Sequence, residues 1–107
     1  MAFFIKQNDT SPALEATLKD GLGAVVNLTG CSVRFHMRLV GGNVAKTDAP
    51  ATLSVPLGGV VYYQWNGSDT DTIGSYEAEF EVTFIGGEIE TFPNNKYIEV
   101  EITDDIA

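Results

Sequence analysis

With 107 residues, 44% of them hydrophobic, the chain is the size of one domain with one core and leaves no room for a second. Fifteen Asp and Glu against six Lys and Arg give a formal net charge of −9, which repels nucleic-acid phosphates and an anionic membrane surface, so neither is expected as a partner. No stretch approaches the ~18 apolar residues of a membrane helix.

The first element is a strand over Phe3 to Gln7. The apolar run from Met1 to Ile5 lacks the basic start and long apolar centre of a signal peptide. Ala13 to Lys19 alternates with period two: Leu14, Ala16 and Leu18 face one way, Glu15, Thr17 and Lys19 the other. Asp20-Gly21-Leu22-Gly23 ends it. Cys31 to Leu39 is the next strand, with Val33, Phe35, Met37 and Leu39 alternating with Ser32, Arg34, His36 and Arg38. Gly41-Gly42-Asn43 ends that one. Cys31 is the sole cysteine, so no intrachain disulfide is possible and the fold rests on packing, as suits a reducing compartment.

Weaker strands follow at Ala51 to Val55 and Val60 to Trp65, separated by Pro56-Leu57-Gly58-Gly59. Ser68 to Ile73 reads as one helical turn capped by Ser68. The strongest pattern is Tyr76 to Phe84, where Tyr76, Ala78, Phe80, Val82 and Phe84 alternate with Glu77, Glu79, Glu81 and Thr83. Ile85-Gly86-Gly87-Glu88 reads as a tight two-residue hairpin into Glu88 to Phe92. After Pro93-Asn94-Asn95, the last strand carries Ile98, Val100 and Ile102 against Glu99, Glu101 and Thr103.

Short strands at this spacing, each with one apolar face, predict an all-β, immunoglobulin-like antiparallel β-sandwich of about 7–9 strands without a disulfide, spanning residues 1–107 as a single domain. Asp71-Thr72-Ile73-Gly74-Ser75-Tyr76 has the layout of a tyrosine corner, in which Asp71 and Gly74 precede a tyrosine whose hydroxyl reaches back to the loop backbone.

Four blocks carry a resemblance: Ile5 to Leu14, Val26 to Arg38, Asp69 to Val82, and Glu90 to Pro93. In this order they resemble the phage baseplate upper protein N-terminal family. The resemblance implies a structural component of a bacteriophage virion, a tail or baseplate module or adaptor joining fibre or receptor-binding proteins to the tail. It implies partners among other virion proteins, symmetric copies in the particle, and location in the virion after synthesis in the host cytoplasm. Larger members continue into helical, fibre-attaching segments, whereas this sequence ends at Ala107; a capsid decoration protein is therefore an alternative. A carbohydrate-binding module is another, with Trp65, Tyr62 or Tyr63 as the stacking platform.

Chemistry is scarce. His36 lies on a wet strand face between Arg34 and Arg38, with no second His or Cys beside it to form a metal site and no serine tied to it, so no catalytic residue, cofactor or metal is expected. Glu77, Glu79 and Glu81 form an acidic row, which on a strand exterior is not the cleft-flanking pair of a glycosidase. Arg34, His36 and Arg38 form a basic row of the same pitch. The two rows either pair across neighbouring strands or lie on different sheets and join copies of the chain. Phe3 and Phe4 point to opposite faces, so one enters the core and the other is a candidate contact. These eight residues are the candidate interface.

Overall fold

The computed structural model describes residues 2–106; Met1 and Ala107, the ends of the expected domain, lie outside it. Nine strands form a sandwich: β1 (Ala2–Lys6), β2 (Leu14–Thr17), β3 (Ser32–Leu39), β4 (Ala45–Pro50), β5 (Thr52–Val55), β6 (Val60–Tyr63), β7 (Gly74–Thr83), β8 (Ile89–Phe92) and β9 (Ile98–Thr103). One sheet has six strands in the order β1-β9-β7-β3-β4, with β8 also paired to β7; the other has three, β2-β6-β5. The ten-residue β7 organises the larger sheet. β3 runs along one edge of it, while β9 and β8 share the other, pairing with Gly74–Ala78 and Phe80–Thr83 respectively. β1 closes the sheet beside β9 and is parallel to it.

Period-two alternation places the core. Val33, Phe35 and Met37 of β3, Tyr76, Ala78, Phe80 and Val82 of β7, and Val100 and Ile102 of β9 are buried, as the alternation requires. Across the gap, Leu14, Val61 and Tyr63 of the smaller sheet meet them. Phe35 stacks on Tyr63 with ring centroids 4.4 Å apart, and Trp65 stands edge-on to both at 5.5 and 5.4 Å. Aromatic contacts of this kind add about 0.5–1.5 kcal/mol each to the burial itself.

Three local expectations change. β4 was not anticipated: Ala-Lys-Thr-Asp-Ala-Pro lacks the branched and aromatic residues that mark strands, yet it pairs with β3 and turns a polar residue, Thr47, into the core. The helical turn is a 3₁₀ turn at Gly67–Thr70 that starts after Asn66, not at Ser68, because the Asp69 carboxyl accepts the Asn66 backbone N–H at 2.8 Å. The β7–β8 hairpin holds three residues, not two. Gly87 N–H donates to Phe84, Phe84 N–H donates to Glu88, and Gly87 takes φ 94°, a turn followed by a left-handed glycine.

Gly59 fastens the smaller sheet to the loop before β3. It follows the 3₁₀ turn Pro56–Gly58 with φ 69°, accepts the Leu18 N–H at 2.8 Å, and packs so closely that a Cβ there would lie 2.8 Å from the Leu18 carbonyl oxygen and 2.9 Å from that of Val26. Among the described residues, no helix is long and apolar enough to cross a membrane.

Candidate functional site

The outer face of the six-stranded sheet collects the charged candidates. In the β3–β7 register, Arg34 lies opposite Glu81, His36 opposite Glu79, and Arg38 opposite Glu77. The basic and acidic rows are therefore cross-strand neighbours of one molecule, not complementary faces that join copies. Arg38 Nε donates to Glu77 Oε1 at 3.0 Å. Arg34 does not reach Glu81 but turns to β4, donating from Nε to Asp48 Oδ1 at 2.9 Å and from Nη2 to the Asp48 carbonyl at 3.0 Å. Its guanidinium holds the Asp48 carboxyl below the usual carboxylate range, and the Glu77 carboxylate, with Tyr97 beside it, raises the Arg38 guanidinium further.

His36 sits between two acids. Its Nδ1 is 3.2 Å from Glu79 Oε2 and its Nε2 is 3.4 Å from Asp48 Oδ1. Along the strand its neighbours are Arg34 and Arg38, which suggested a cationic environment. Carboxylates from the flanking strands face it instead, because cross-strand neighbours stand closer than residues two apart on one strand.

Around this ladder opens a cleft of about 390 Å³ lined by His36, Arg38, Asp48, Glu77, Glu79 and Tyr97, with Met37, Asn43 and Ala45 at its edges. Tyr97, from the turn before β9, covers Arg38: its ring centroid is 5.1 Å from the guanidinium carbon and its hydroxyl accepts Arg38 Nη2 at 3.0 Å. Neither Tyr97 nor Asp48 was singled out in the sequence. Asp48 lay in the unrecognised strand and Tyr97 in a turn, so no periodicity flagged either.

The other candidates fall apart spatially. Phe3 is half-buried against Trp65, ring centroids 5.8 Å apart, whereas Phe4 is 67% exposed on the outer face. Trp65 is 2% exposed and Tyr63 3%, so neither offers a stacking platform to a sugar, and Tyr62 is only half-buried on the opposite sheet. The Tyr76 hydroxyl donates to the Thr72 carbonyl at 2.8 Å, the bond that defines a tyrosine corner, and Gly74 begins β7 two residues before it. Asp71 does not touch the phenol. Its carboxyl accepts Lys46 Nζ at 2.7 Å and the Thr72 hydroxyl at 2.8 Å, and the Lys46 ammonium keeps it below the usual carboxylate range.

The architecture is the all-β sandwich of CopC. One solved structure it is similar to is the crystal structure of CopC from Methylosinus trichosporium OB3b, at a TM-score of 0.56 and 14% sequence identity, covering 99% of this chain and 87% of that one. No family model matches the chain, and no curated protein sequence does.

These findings overturn the phage resemblance. The fold found over nearly the whole length is that of CopC, not one that the phage family was needed to explain. The virion role falls with it, as tail or baseplate module and as capsid decoration. So do the tail, baseplate and fibre partners, the symmetric copies in a particle, and the virion location. The four quoted blocks consist of turn residues and period-two strands. Sandwich geometry imposes such patterns on many unrelated sequences, so they reported the fold and not the family.

Proposed function

We propose that this protein is a non-enzymatic binding module whose ligand surface is the outer face of the six-stranded sheet, centred on the cleft beside His36. The observation that carries the reading is the cleft itself. It is about 390 Å³ in volume, within the range of roughly 300–1,000 Å³ typical of ligand sites, and its convergent polar groups come from β3, β4, β7 and the turn before β9. The strand register sets the positions of His36, Arg38, Asp48, Glu77 and Glu79 on a rigid sheet.

Catalysis is not supported by the same groups. The only imidazole has a carboxylate at each nitrogen, and Arg38 is held at both ends by Glu77 and Tyr97, so neither is poised against a nucleophile.

The name CopC, copper resistance protein C, raises copper as a ligand. The residues here do not fit it. Among the described residues, no group of three or more His, Cys, Asp and Glu is placed to hold a metal ion. Glu79 and Asp48 approach opposite nitrogens of the His36 ring and do not converge on one point, Met37 is 1% exposed in the core, and Cys31 lies five residues before His36, ahead of the start of β3.

Amide chemical-shift mapping with a library of short peptides of mixed charge tests the reading. Shifts concentrated at His36, Arg38, Glu79 and Tyr97 are expected. Shifts concentrated on β2, β5 and β6, or none, would overturn it.

A further inference from the structure

Resting on that reading, we infer that the occupant of this face is a basic polypeptide segment, one Arg or Lys side chain of which enters the cleft beside Glu79. The face is unevenly charged. Strand alternation turns Asp48, Glu77, Glu79, Glu81, Glu99 and Glu101 outward on the six-stranded sheet, against Arg34, Arg38 and Lys6. Arg34 is taken by Asp48 and Arg38 by Glu77, while Lys6 points to the Asp104 carbonyl. Among the described residues, Glu81, Glu99 and Glu101 enter no ion pair.

One juxtaposition works against the fold. Glu77 and Glu99 are direct cross-strand partners in the β7–β9 ladder, and like charges placed opposite each other destabilise a sheet. Arg38 pairs with Glu77, and among the described residues no cation pairs with Glu99. A cationic partner laid across the strands would supply the missing charge.

The wall of the cleft holds an arginine of its own. The chain's own Arg38 is clasped there by a carboxylate on one side and by the Tyr97 ring and hydroxyl on the other, the combination that recognises a guanidinium. On the Nδ1 side of His36, Glu79 lines the same cleft and, among the described residues, pairs with no Arg or Lys, which leaves its carboxylate open to a second cation. Phe4, in register with Glu101 on the same face and 67% exposed, gives the partner an apolar contact beside the acidic rows.

The test is a titration of the full chain with a short arginine homopeptide and, in parallel, a serine homopeptide of equal length, read by calorimetry. Two double variants remove the same charge: Glu79→Gln with Glu99→Gln on the proposed face, and Glu15→Gln with Asp20→Asn on β2 and the turn after it. Unchanged Trp65 fluorescence confirms that both remain folded. The arginine peptide binds and the serine peptide does not; the first variant weakens binding by about fivefold or more, the second by less than about twofold. Equal weakening by both variants shows attraction to net charge alone and overturns the inference, as does failure of the arginine peptide to bind. If neutral or acidic peptides still shift the cleft residues, the binding-module reading stands without it; if nothing shifts them, both fall.

Discussion

The Tyr63 hydroxyl donates to Asp69 Oδ2 at 2.6 Å, one arm of a carboxyl bridge between the two sheets of a sandwich that has no disulfide. Tyr63 ends β6 of the smaller sheet. Asp69 sits in the 3₁₀ turn beyond it, 7% exposed, and its other oxygen accepts the Thr47 hydroxyl from β4 of the larger sheet at 3.0 Å. With the Asn66 N–H, three donors converge on one carboxyl.

Asp69→Ala therefore strands two buried hydroxyls and a backbone N–H. The expected loss is about 3 kcal/mol or more, read as a lower urea midpoint from the fluorescence of Trp65, the only tryptophan. Tyr63→Phe removes one donor and should cost less, about 1–2 kcal/mol.

Tyr63 also sets the alkaline limit. Burial first, and then its bond to Asp69, raise the phenol well above its ordinary value of 10.0. A group whose folded value is raised contributes stability below its unfolded value and loses it as pH rises toward the folded one. Melting temperature should fall progressively above about pH 10, and Tyr63→Phe should flatten that fall while lowering the neutral-pH plateau.

The acid limb has the opposite sign. Lys46 holds the Asp71 carboxyl below its ordinary 3.8, so its contribution is present above that value and is lost as pH falls from it through the lower folded value. Lys46→Met should shrink the stability difference between neutral and strongly acidic solution, measured by urea titration at each pH.

Gly59→Ala combines a left-handed backbone with two carbonyl oxygens closer than 3.0 Å to the new carbon. A loss of more than about 2 kcal/mol is expected, against about 1 kcal/mol or less for Gly21→Ala, where nothing lies near the added methyl. Thermal melts of the two variants provide the comparison.

Much of the fold could be read because β3, β7 and β9 obey strict alternation, and burial follows it except at Leu39, expected inward but 50% exposed at the end of β3. β4 escaped because its inward position is Thr47, whose burial is made tolerable by Asp69, twenty-two residues later; no local pattern encodes such a partner. The site was legible by half for the same reason. Arg38, His36, Glu77 and Glu79 announce themselves by pitch along their own strands. Asp48 and Tyr97 enter only through register and a turn, and their arrival reverses the environment of His36.

The parallel pairing of β1 with β9 has a mechanical consequence. Ala2 lies beside Glu99 and Lys6 beside Thr103, so tension that drags β1 back by its first residue and β9 forward by its last slides the two strands along each other. The load then falls on the whole ladder at once instead of opening it one bond at a time. A single-molecule stretch should find this junction stiff under shear along the strands and weak under a peeling pull across them.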